Sequence, residues 1–476
     1  MEKNKEEFSD WYHRILTDGG FIRFYDVSGC YVLLPYSYEI WETIKEYLDN
    51  GFKKRGVKNS YFPMFLTQKN LYREKEHVEG FTPEVAWVTG YGDIKNKDEF
   101  SEMKEPVCLR PTSETIMYPI LADILESHYE LPYKINQWCN VVRWEFKDPT
   151  PFIRSREFLW NEGHSVFLTE KEADDDAKEM ISFYGETYKN LLAVPTIQGR
   201  KTINDKFPGG KTTYTIETFI PEIGKGIQCA TSHDLGQNFS KIFDITVGDE
   251  DGKQTHVHQT SWGFTTRSIG AMIMTHKGII PPFVAPIQIV VIPVIFKKKK
   301  EETMEYAKKV YSSLKSIFRV EIDLRQKNPG WKYNYWETRG VPLRIEVGPK
   351  DMENNAMMLC RRDRFKEKIS VAFDKSLMDT VDEMLKTIQN ELYLAAEKKL
   401  FDSIIETEFV EEVVNNLENK KVTCSSFCES DECEDELKKF GARSLCIPDQ
   451  KLYDCSGKCI VCNKETDLVC LFGKTF

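Results

Sequence analysis

Long apolar segments are scarce in this 476-residue sequence, and its beginning has none of the features of an export signal. The longest apolar stretch runs from Val284 to Phe296, which is too short to cross a membrane and is interrupted by Pro286 and Pro293. The first twelve residues, MEKNKEEFSDWY, mix acidic, basic and polar side chains and form no apolar core. We therefore expect a soluble cytoplasmic protein without a membrane partner.

The sequence also lacks an excess of positive charge. Its 65 lysines and arginines are outnumbered by 75 aspartates and glutamates, which gives a net charge of −10 at pH 7. Broad, unspecific binding to nucleic acid needs a positive field, so this balance argues against it. Local basic patches occur at Lys53–Arg55, Lys297–Lys300 and Arg361–Lys368. An enzyme that acts on one particular RNA therefore stays compatible with the composition.

Cysteine is sparse over most of the chain. Eight of the thirteen cysteines lie between Cys424 and Cys470, and the other five are scattered singly. In the absence of an export signal, this distribution is not typical of an extracellular disulfide scaffold. The content of 41% hydrophobic and 29% charged residues is that of an ordinary globular protein. A chain of this length holds about two to four domains.

The segment Val141–Trp160 predicts a β-hairpin whose side chains suit a nucleotide. Two strand-like runs flank the polar, proline-bounded turn Lys147–Pro151. Side chains alternate between the two faces of a strand, so Arg143 and Glu145 share one face of the first run. The return run has one face rich in arginine and aromatic residues: Arg154, Arg156, Phe158 and Trp160. Arginine forks a phosphate through two donors, and a phenyl ring can stack on a base.

The pattern R-x-E, a short loop, then R-x-x-x-F in this hairpin resembles motif 2 of the class II aminoacyl-tRNA synthetases. The other two family motifs have counterparts in the same order along the chain. A helix over Tyr36–Lys54 and a strand over Ser60–Leu66 that is interrupted at Pro63 resemble motif 1, which forms the dimer interface in the family. Ser261–Met272 resembles motif 3, in which Arg267 is expected to open a helix. The resemblance implies a homodimer.

Two segments narrow the resemblance to prolyl-tRNA synthetases of the eukaryotic and archaeal type. Leu109–Thr115, LRPTSET, resembles the prolyl-specific signature, and Gly226–Ser240 resembles a further block of these enzymes. The secondary ammonium group of proline needs an acidic partner, a role that fits Glu114, with the Thr112 hydroxyl accepting a further hydrogen bond. A helix cap explains the same residues, and both explanations can hold at once. Ser165–Thr260 leaves no room for the editing insertion of bacterial-type relatives.

The resemblance implies a two-step reaction and a role for each site residue. ATP, with Mg²⁺, activates L-proline as prolyl-adenylate, and the prolyl group then passes to the 3′ end of tRNA(Pro). The catalytic residues would be Arg143, Arg154 and Arg267. The ATP site would comprise Arg143, Glu145, Arg154, Phe158, Gln228, Thr231 and Arg267. The proline pocket would comprise Thr112, Glu114, Arg143, Trp160, Phe207, His233, Ser261 and Gly263.

Strand-like and helix-like segments alternate from Ile287 onward, which predicts an α/β layer. Within it, Gly340–Asp351 resembles the anticodon-binding domain of class IIa synthetases. Proteins that recognise RNA sequence mostly read unpaired, splayed bases. The resemblance implies four residues facing the anticodon: Arg344, Glu346, Lys350 and Asp351.

The remaining chain predicts a long helix, Leu377–Asn416, followed by the cysteine-rich tail. Two cysteine pairs have the spacing of a tetrahedral thiolate site: Cys428 with Cys433, and Cys459 with Cys462. The tail resembles that of eukaryotic and archaeal prolyl enzymes, which implies a structural Zn²⁺. Further cysteines crowd the region, so free thiols or a tail that has lost its metal are the alternatives.

The expected fold is α/β, built from three domains. Residues 1–283 would form the class II catalytic domain, an antiparallel sheet flanked by helices. Residues 284–385 would form the α/β anticodon-binding domain, and residues 386–476 a small α+β zinc-binding domain. In enzymes of this type a C-terminal tyrosine carboxylate often folds back towards the active site. Phe476 keeps the ring and the carboxylate, so we expect the tail to return to the catalytic domain.

Two other functions stay open at this point. A threonyl-specific relative is the nearest enzyme alternative, but such enzymes have a cysteine and zinc-binding histidines where this chain has Thr112–Glu114. A catalytically inactive, synthetase-like RNA-binding or regulatory protein is the alternative from another class. Such a protein would be free to lose the three arginines, and this chain has all of them.

Overall fold

The computed structural model describes residues 7–77, 84–92, 100–144, 149–249, 251–296, 299–364, 366–450, 452, 455 and 457–476. Among these residues, no helix combines the length and the apolarity that crossing a bilayer requires. The helices are α1 Phe8–Asp18, α2 Pro35–Lys54, α3 Gln68–His77, α4 Glu114–Ile124, α5 Glu170–Asn190, α6 Asn238–Phe243, α7 Arg267–Thr275, α8 Lys300–Leu314, α9 Pro329–Thr338, α10 Pro349–Glu353, α11 Leu377–Phe401, α12 Val410–Glu418 and α13 Asp431–Lys439.

The strands divide among one large sheet and several small ones. They are β1 Ile22–Phe24, β2 Tyr31–Leu33, β3 Lys58–Asn59, β4 Phe65–Thr67, β5 Trp87–Gly92, β6 Phe100–Leu109, β7 Tyr133–Val142, β8 Glu157–Phe167, β9 Ile197–Arg200, β10 Thr212–Ile220, β11 Lys225–Gly236, β12 Thr246–Gly248, β13 Gln254–His256, β14 His258–Thr265, β15 Ile289–Pro293, β16 Val320–Ile322, β17 Leu343–Val347, β18 Ala356–Arg361, β19 Lys368–Ala372, β20 Ile404–Glu406, β21 Val422–Ser426, β22 Arg443–Pro448 and β23 Val469–Thr475.

The large sheet is the centre of the molecule. Its strands follow the order β20-β21-β23-β22-β9-β10-β11-β14-β8-β7-β3, and the pairs from β9 to β7 are all antiparallel. The expected antiparallel catalytic sheet with flanking helices is therefore confirmed.

Helix α5 covers one face of this sheet. Its N-terminus forms a capping box, in which Thr169 accepts from the Glu172 backbone amide and the Glu172 side chain accepts from the Thr169 amide. Buried residues recur along one stripe of the helix at Ala177, Ile181, Tyr184 and Tyr188. The tyrosine rings contact residues of β14, and the core that forms there leaves the opposite face of the sheet free for a ligand.

Helix α2 and the break in the strand at Pro63 follow the predicted motif 1 pattern. Its buried residues Ile40, Ile44 and Leu48 pack into the same core as α5. The strand expected over Ser60–Leu66 with an interruption at Pro63 is found as two short strands, β3 and β4, which lie on either side of Pro63 but have different bounds. Proline has no amide hydrogen to give to a strand ladder, so the pairing stops around it.

The α/β layer expected after Ile287 is confirmed. Its sheet has the order β16-β15-β17-β18-β19, with parallel pairs around β15 and antiparallel pairs beyond β17. Helices α8 and α11 bury Val310, Leu314, Leu385 and Ile388 against it. The hairpin partner β19 was not expected from the sequence.

The long helix expected over Leu377–Asn416 is wrong in its second half. Helix α11 ends at Phe401, strand β20 follows, and α12 begins at Val410. The chain turns there because β20 pairs with β21 and buries Ile404. Helix α11 runs through the predicted domain boundary at residue 385, since it packs Leu385 into the α/β layer and Leu400 into the tail.

The C-terminal strands extend the catalytic sheet. Strand β22 pairs with β9, with Ile447 opposite Arg200, and the end of β23 pairs with the start of β11, with Thr475 opposite Gly226. Phe476 packs against the catalytic core, so the tail does return to the catalytic domain as expected. The C-terminal residues and the catalytic residues share one continuous sheet.

Candidate active site

A cleft of about 410 Å³ opens on the face of the large sheet that α5 does not cover. Strand alternation separates the two faces, because Trp262 and Phe264 of β14 pack against α5 while Ser261 and Gly263 line the cleft.

The strand register brings residues from three strands side by side on the cleft floor. On β11 and β14, His233 is opposite Ser261 and Thr231 is opposite Gly263. On β14 and β8, Gly263 is opposite Glu162. Residues distant in sequence thus become neighbours through pairing alone.

Arg143 and Arg267 occupy the same end of the cleft. The Arg143 Nε atom donates to the Pro111 carbonyl at 3.0 Å, and the guanidinium carbon lies 5.5 Å from the centre of the Phe158 ring. Arg267 is the first residue of α7, as expected, and it donates to the carbonyl oxygens of Ile153 at 3.0 Å and Gln228 at 3.1 Å. These bonds fix the orientation of both guanidinium groups.

The pKa of Arg267 reflects the concentration of positive charge at this end of the cleft. Burial lowers the pKa of the Arg267 guanidinium, and the positive charge of Arg143 acts in the same direction. An arginine remains protonated in proteins, so two like charges are held close together. A polyphosphate is a ligand that would relieve their repulsion.

The third arginine lies in a turn and not on a strand. The first strand of the hairpin, β7, ends at Val142, and β8 begins only at Glu157, so the face assigned to Arg154 by strand alternation was wrong. Arg154 forms two backbone hydrogen bonds with Thr150, at 2.8 and 2.9 Å. Phe152, between them, adopts a φ of 65°, a backbone strain of the kind found at functional sites. This turn still places Arg154 in the cleft.

The opposite end of the cleft is acidic and almost fully buried. Glu114 is the first residue of α4 and is 3% exposed, and the Thr112 hydroxyl contacts its carboxylate. Glu162 accepts from the Ser113 backbone amide at 2.8 Å and lies 3.4 Å from His164 Nε2. The ligand atoms of Glu114, Glu162 and His164 all lie within 4.8 Å of one another, an arrangement suited to a small cation.

The two carboxyl groups differ in their affinity for a proton. Burial raises the pKa of Glu114, and the negative charge of Glu162 raises it further. Burial would also raise the pKa of Glu162, but the hydrogen bond and the charge of His164, together with Ser113, lower it below the usual range. Glu114 is therefore the member of the pair that takes up a proton first as the pH falls.

A loop, Asp205–Pro208, forms the wall beside the acidic end. The Phe207 ring lies 4.6 Å from the His233 ring, centre to centre. The backbone amide of Phe207 donates to Thr213 Oγ1 at 2.8 Å. That hydroxyl is also 3.0 Å from His233 Nδ1. Burial lowers the pKa of His233 to about 3, so its imidazole is neutral and adds no charge that would repel a cation.

Every described residue predicted for the ATP and proline sites lines this one cleft: Thr112, Glu114, Arg143, Arg154, Phe158, Trp160, Phe207, Gln228, Thr231, His233, Ser261, Gly263 and Arg267. Glu145, also predicted for the ATP site, lies outside the described residues.

The tail cysteines form a second cluster. The Cys428 sulfur lies 3.7 Å from the sulfurs of Cys433 and Cys462, and all four ligand atoms, with Cys459, are within 4.8 Å of one another. A tetrahedral Zn²⁺ with Zn–S bonds of about 2.3 Å places its sulfurs about 3.8 Å apart, so the cluster fits zinc. Burial would raise the pKa of Cys428, but hydrogen bonds from Ser430 lower it to about 7, which favours the thiolate that a metal needs.

Two of the residues predicted to face the anticodon are engaged with other side chains. Arg344 donates to Glu337 at 2.6 Å and to Glu346 at 3.0 Å, and its guanidinium lies 4.0 Å from the Tyr333 ring. Glu346 is 5% exposed and also accepts from Lys368 at 2.7 Å.

The other two lie at the start of α10. Asp351 accepts from the Gly348 backbone amide at 2.8 Å and thereby caps the helix, while Lys350 is exposed. The structure brings all four residues to β17 and the short helix after it, but it does not bring them to a common cavity among the described residues.

Three comparisons with known proteins identify the family. Residues 94–276 match the tRNA synthetase class II core domain (G, H, P, S and T), residues 288–384 match the anticodon binding domain, and residues 410–476 match the prolyl-tRNA synthetase C-terminal domain. A cytoplasmic proline--tRNA ligase of Arabidopsis thaliana is 44% identical over 94% of this chain and 85% of its own length. The chain belongs to the prolyl-tRNA synthetase family.

Solved structures of prolyl-tRNA synthetases are similar to this chain in sequence and in fold. The prolyl-tRNA synthetase of Cryptosporidium parvum, in complex with L-proline and AMP, is 45% identical and superposes with a TM-score of 0.92 over 99% of this chain and 95% of that one. A complex of the same protein with halofuginone and AMPPNP gives a TM-score of 0.94 at 46% identity, over 99% of this chain and 98% of that one.

Some relatives in the family are much longer. The bifunctional glutamate/proline--tRNA ligase of Cricetulus griseus is 43% identical over all of this chain, which spans only 33% of that relative's length. The shared region corresponds to all three matched prolyl-tRNA synthetase segments.

Sequence reasoning missed several cleft residues. Glu162 lines the cleft on the face of β8 that begins with Phe158 and Trp160, and His164 follows on the same face, so the alternation that located those two rings also pointed to these residues. Phe207 is the only residue of the wall that was predicted from the sequence, because a loop has no periodicity from which the neighbours of Phe207 could be inferred.

Proposed function

We propose that the chain catalyses the ATP-dependent activation of L-proline and the transfer of the prolyl group to the 3′ end of tRNA(Pro). The observation that carries this proposal is a single cleft with two fixed guanidinium groups at one end and the Glu114–Glu162 pair at the other. The related Cryptosporidium parvum enzyme was solved with L-proline and AMP together, which are ligands of matching chemistry.

In the activation step, a carboxylate oxygen of proline attacks the α-phosphorus of ATP. The new bond gives prolyl-adenylate, and pyrophosphate leaves with the electrons of the broken phosphorus–oxygen bond. The protein has little covalent chemistry to perform, so positioning and charge stabilisation dominate. Arg143 would bridge the α-phosphate and the proline carboxylate, because it lies beside Arg267 and its guanidinium is also 5.6 Å from the centre of the Trp160 ring, a wall of the proline pocket.

The remaining residues of this end would hold the nucleotide. Arg154 and Arg267 would bind the distal phosphates, and the Phe158 ring would stack on adenine. Gln228 and Thr231 would contact ATP or the Mg²⁺ that accompanies it. We include Glu145 as the partner of the adenine amine, on its position in motif 2.

The acidic end would select the imino acid. The Glu114 carboxylate would pair with the secondary ammonium group. The pocket walls formed by Trp160, Phe207 and His233 would enclose the pyrrolidine ring, with Ser261 and Gly263 below. A glycine is suited to that floor, because a side chain at Gly263 would begin 3.4 Å from the Asn161 carbonyl and the Trp160 ring and take space from the substrate.

In the transfer step, a hydroxyl of the terminal ribose of tRNA attacks the prolyl carbonyl, and AMP leaves. Residues 288–384, which match the anticodon binding domain, would hold the other end of the tRNA. Arg344, Glu346, Lys350 and Asp351 remain our candidates for anticodon contacts.

Helix α9 adds a surface that suits unpaired bases. Trp331 is 40% exposed and stacks on Tyr335 with ring centres 5.2 Å apart, and the Arg325 guanidinium lies 3.8 Å from the Tyr335 ring. Exposed aromatic rings beside arginine are the usual platform for single-stranded RNA.

The cysteine cluster would hold a structural Zn²⁺, since its four cysteines complete a tetrahedral shell.

We also propose a cytoplasmic homodimer, in which exposed apolar residues of the β1–β2 hairpin become buried. Phe24 and Tyr25 are each 60% exposed, and Val32 is 46% exposed. Sedimentation of a 55.5 kDa species alone would exclude the dimer.

Proline-dependent ATP–pyrophosphate exchange tests the proposed function. Arg143→Ala should reduce exchange by about two to three orders of magnitude, because the charge that develops in the transition state would lose its main donor. Threonine in place of proline should support no exchange, which separates this function from that of a threonyl enzyme. An inactive wild-type chain would support the regulatory alternative, and wild-type exchange in the variant would disprove the role of Arg143.

A further inference from the structure

We propose that the zinc module positions the wall of the proline pocket through Glu429 and Glu434, so that metal binding and proline binding reinforce each other. By zinc module we mean the four-cysteine cluster and the segments that carry it, Cys428–Cys433 and Cys459–Cys462. The inference rests on the proposed function, and it makes both glutamates positioning residues that never touch the substrate.

The wall of the pocket is the end of a longer segment that leaves the sheet at β9. Asp205–Pro208 line the cleft, and the Phe207 ring packs on His233. Strand pairing ends at Arg200, and the Lys201 amide still donates to the Thr213 carbonyl of β10 at 2.8 Å. The position of the wall therefore depends on the hydrogen bond from the Phe207 amide to Thr213 and on the side-chain contacts that hold Arg200–Asn204.

The first anchor is an ion pair between Arg200 and Glu429. Their side chains form two parallel hydrogen bonds, at 2.6 and 2.8 Å, and the Glu429 side chain is only 8% exposed. Glu429 directly follows the metal-binding Cys428 and has a φ of 57°, in the left-handed region that glutamate rarely adopts. The surrounding module has to impose this conformation.

The second anchor is Glu434, which directly follows Cys433. It is 1% exposed and accepts hydrogen bonds from Thr202 at 3.1 Å, Asn204 at 3.1 Å and Ser444 at 2.9 Å. Asn204 immediately precedes the wall. Two of the four cysteines are thus each one residue away from a carboxylate that holds the approach to the proline pocket.

The metal would fix the position of these anchors further. Zinc–thiolate bonds would join Cys428 and Cys433 to the other pair, whereas without metal weak contacts between sulfur atoms and the apolar core around Cys433 and Cys459 connect them. Loss of zinc would therefore release both carboxylates and loosen the wall. Because coupling between two sites is reciprocal, proline must strengthen zinc binding by the same factor as zinc strengthens proline binding.

The full-length protein provides the first test. We expect the zinc-loaded chain to bind L-proline about 5- to 100-fold more tightly than the chelator-treated chain in calorimetry. In competition with a zinc chelator, saturating proline should raise the apparent zinc affinity by the same factor. Equal proline affinity with and without zinc would overturn the coupling, and failure of the zinc-loaded chain to bind proline at all would instead overturn the proposed function.

A pair of variants that keep the metal provides the second test, which does not require the zinc-free chain to stay folded. Glu429→Gln should raise the Kd for proline about tenfold while zinc content and the KM for ATP stay as in the wild type. Glu432→Gln, at an exposed position in the same module, is the control and should change none of these three quantities: the Kd for proline, the zinc content and the KM for ATP.

The ion pair itself is tested by adding Arg200→Gln. The double variant should bind proline no more weakly than Glu429→Gln alone, because both changes break the same contact. Unchanged proline affinity in Glu429→Gln, or equal weakening of proline and ATP binding, would contradict the positioning role.

Discussion

Glu114 and Glu162 show how burial divides two similar groups into different roles. Both are almost fully buried in the same pocket, yet the pKa of Glu114 is raised by burial and by its neighbour while that of Glu162 is lowered by His164 and Ser113. A pocket of this kind stabilises the negative charge of Glu162 more than that of Glu114, and a bound cation would stabilise the ionised form of Glu114 as well. The secondary ammonium group of proline is such a cation.

This difference predicts the pH dependence of proline binding. Glu114 must be ionised to pair with the substrate, and its pKa is raised above the usual 4.5. Proline affinity should therefore fall as the pH is lowered through that raised pKa and level off above it, whereas ATP affinity should not follow this titration. Calorimetry with proline over a pH series measures the effect, and a pH-independent Kd would contradict it.

Removing the negative charge of Glu114 by substitution should also weaken proline binding strongly. Glu114→Gln should weaken proline binding by at least about 100-fold, because the buried ammonium group would lose its acidic partner, and it should abolish the titration. Glu105→Gln, at an exposed position on β6, is the matched control and should change neither the affinity nor its pH profile. Retained proline affinity in the Glu114 variant would assign the ammonium group to another residue.

At the scale of single elements, two glycines in the catalytic core differ in the space around them. A Cβ atom at Gly163 of β8 would meet the Trp262 ring at 2.0 Å, so this strand can pass over the indole only without a side chain. At Gly185 of α5 the nearest atom would be 3.8 Å away, which is ordinary contact. The same substitution should therefore have opposite effects at the two positions.

We expect Gly163→Ala to destabilise the protein by about 1–3 kcal/mol through overpacking. Gly185→Ala should stabilise it by about 0.5–1 kcal/mol, because alanine restricts the unfolded chain and favours a helix. Chemical denaturation of the two variants beside the wild type measures both changes. Destabilisation by Gly185→Ala would show that α5 packs more tightly against β10 than the distances indicate.

At the scale of the whole molecule, the sheet links regions that are far apart in sequence. Thr475 is opposite Gly226, and β11 continues from there to Gln228 and Thr231 in the cleft. The Lys225 ammonium group also lies 4.8 Å from the centre of the Phe476 ring. The last residues of the chain thus support a strand of the active site.

Deletion of residues 474–476 should reduce pyrophosphate exchange about tenfold and lower the midpoint of thermal unfolding, since it removes backbone pairing and packing from the start of β11. Phe476→Tyr, which keeps the ring, is the control and should leave both unchanged. Exchange at the wild-type rate after the deletion would show that β11 holds the cleft without the tail.

Local pattern accounts for much of the fold. The apolar spacing of α2 and the alternating elements after Ile287 follow from periodicity, which depends on residues close in sequence. The start of α7 at Arg267 was expected from the resemblance to motif 3. Alternation on β8 likewise set the face of Phe158 and Trp160. The position of the Arg154 side chain could not be predicted in this way, because a turn has no fixed alternation of side chains.

By itself, the amino-acid sequence determined which chemical groups are present and which of them share a strand face, and its motifs determined the family. Only the tertiary structure decided that Glu162 completes the acidic end, that β22 and β23 join the catalytic sheet, and that Glu429 and Glu434 reach Arg200 and Asn204. These contacts join residues separated by tens to hundreds of positions. They are set by strand pairing and burial over the whole molecule, and no local pattern encodes them.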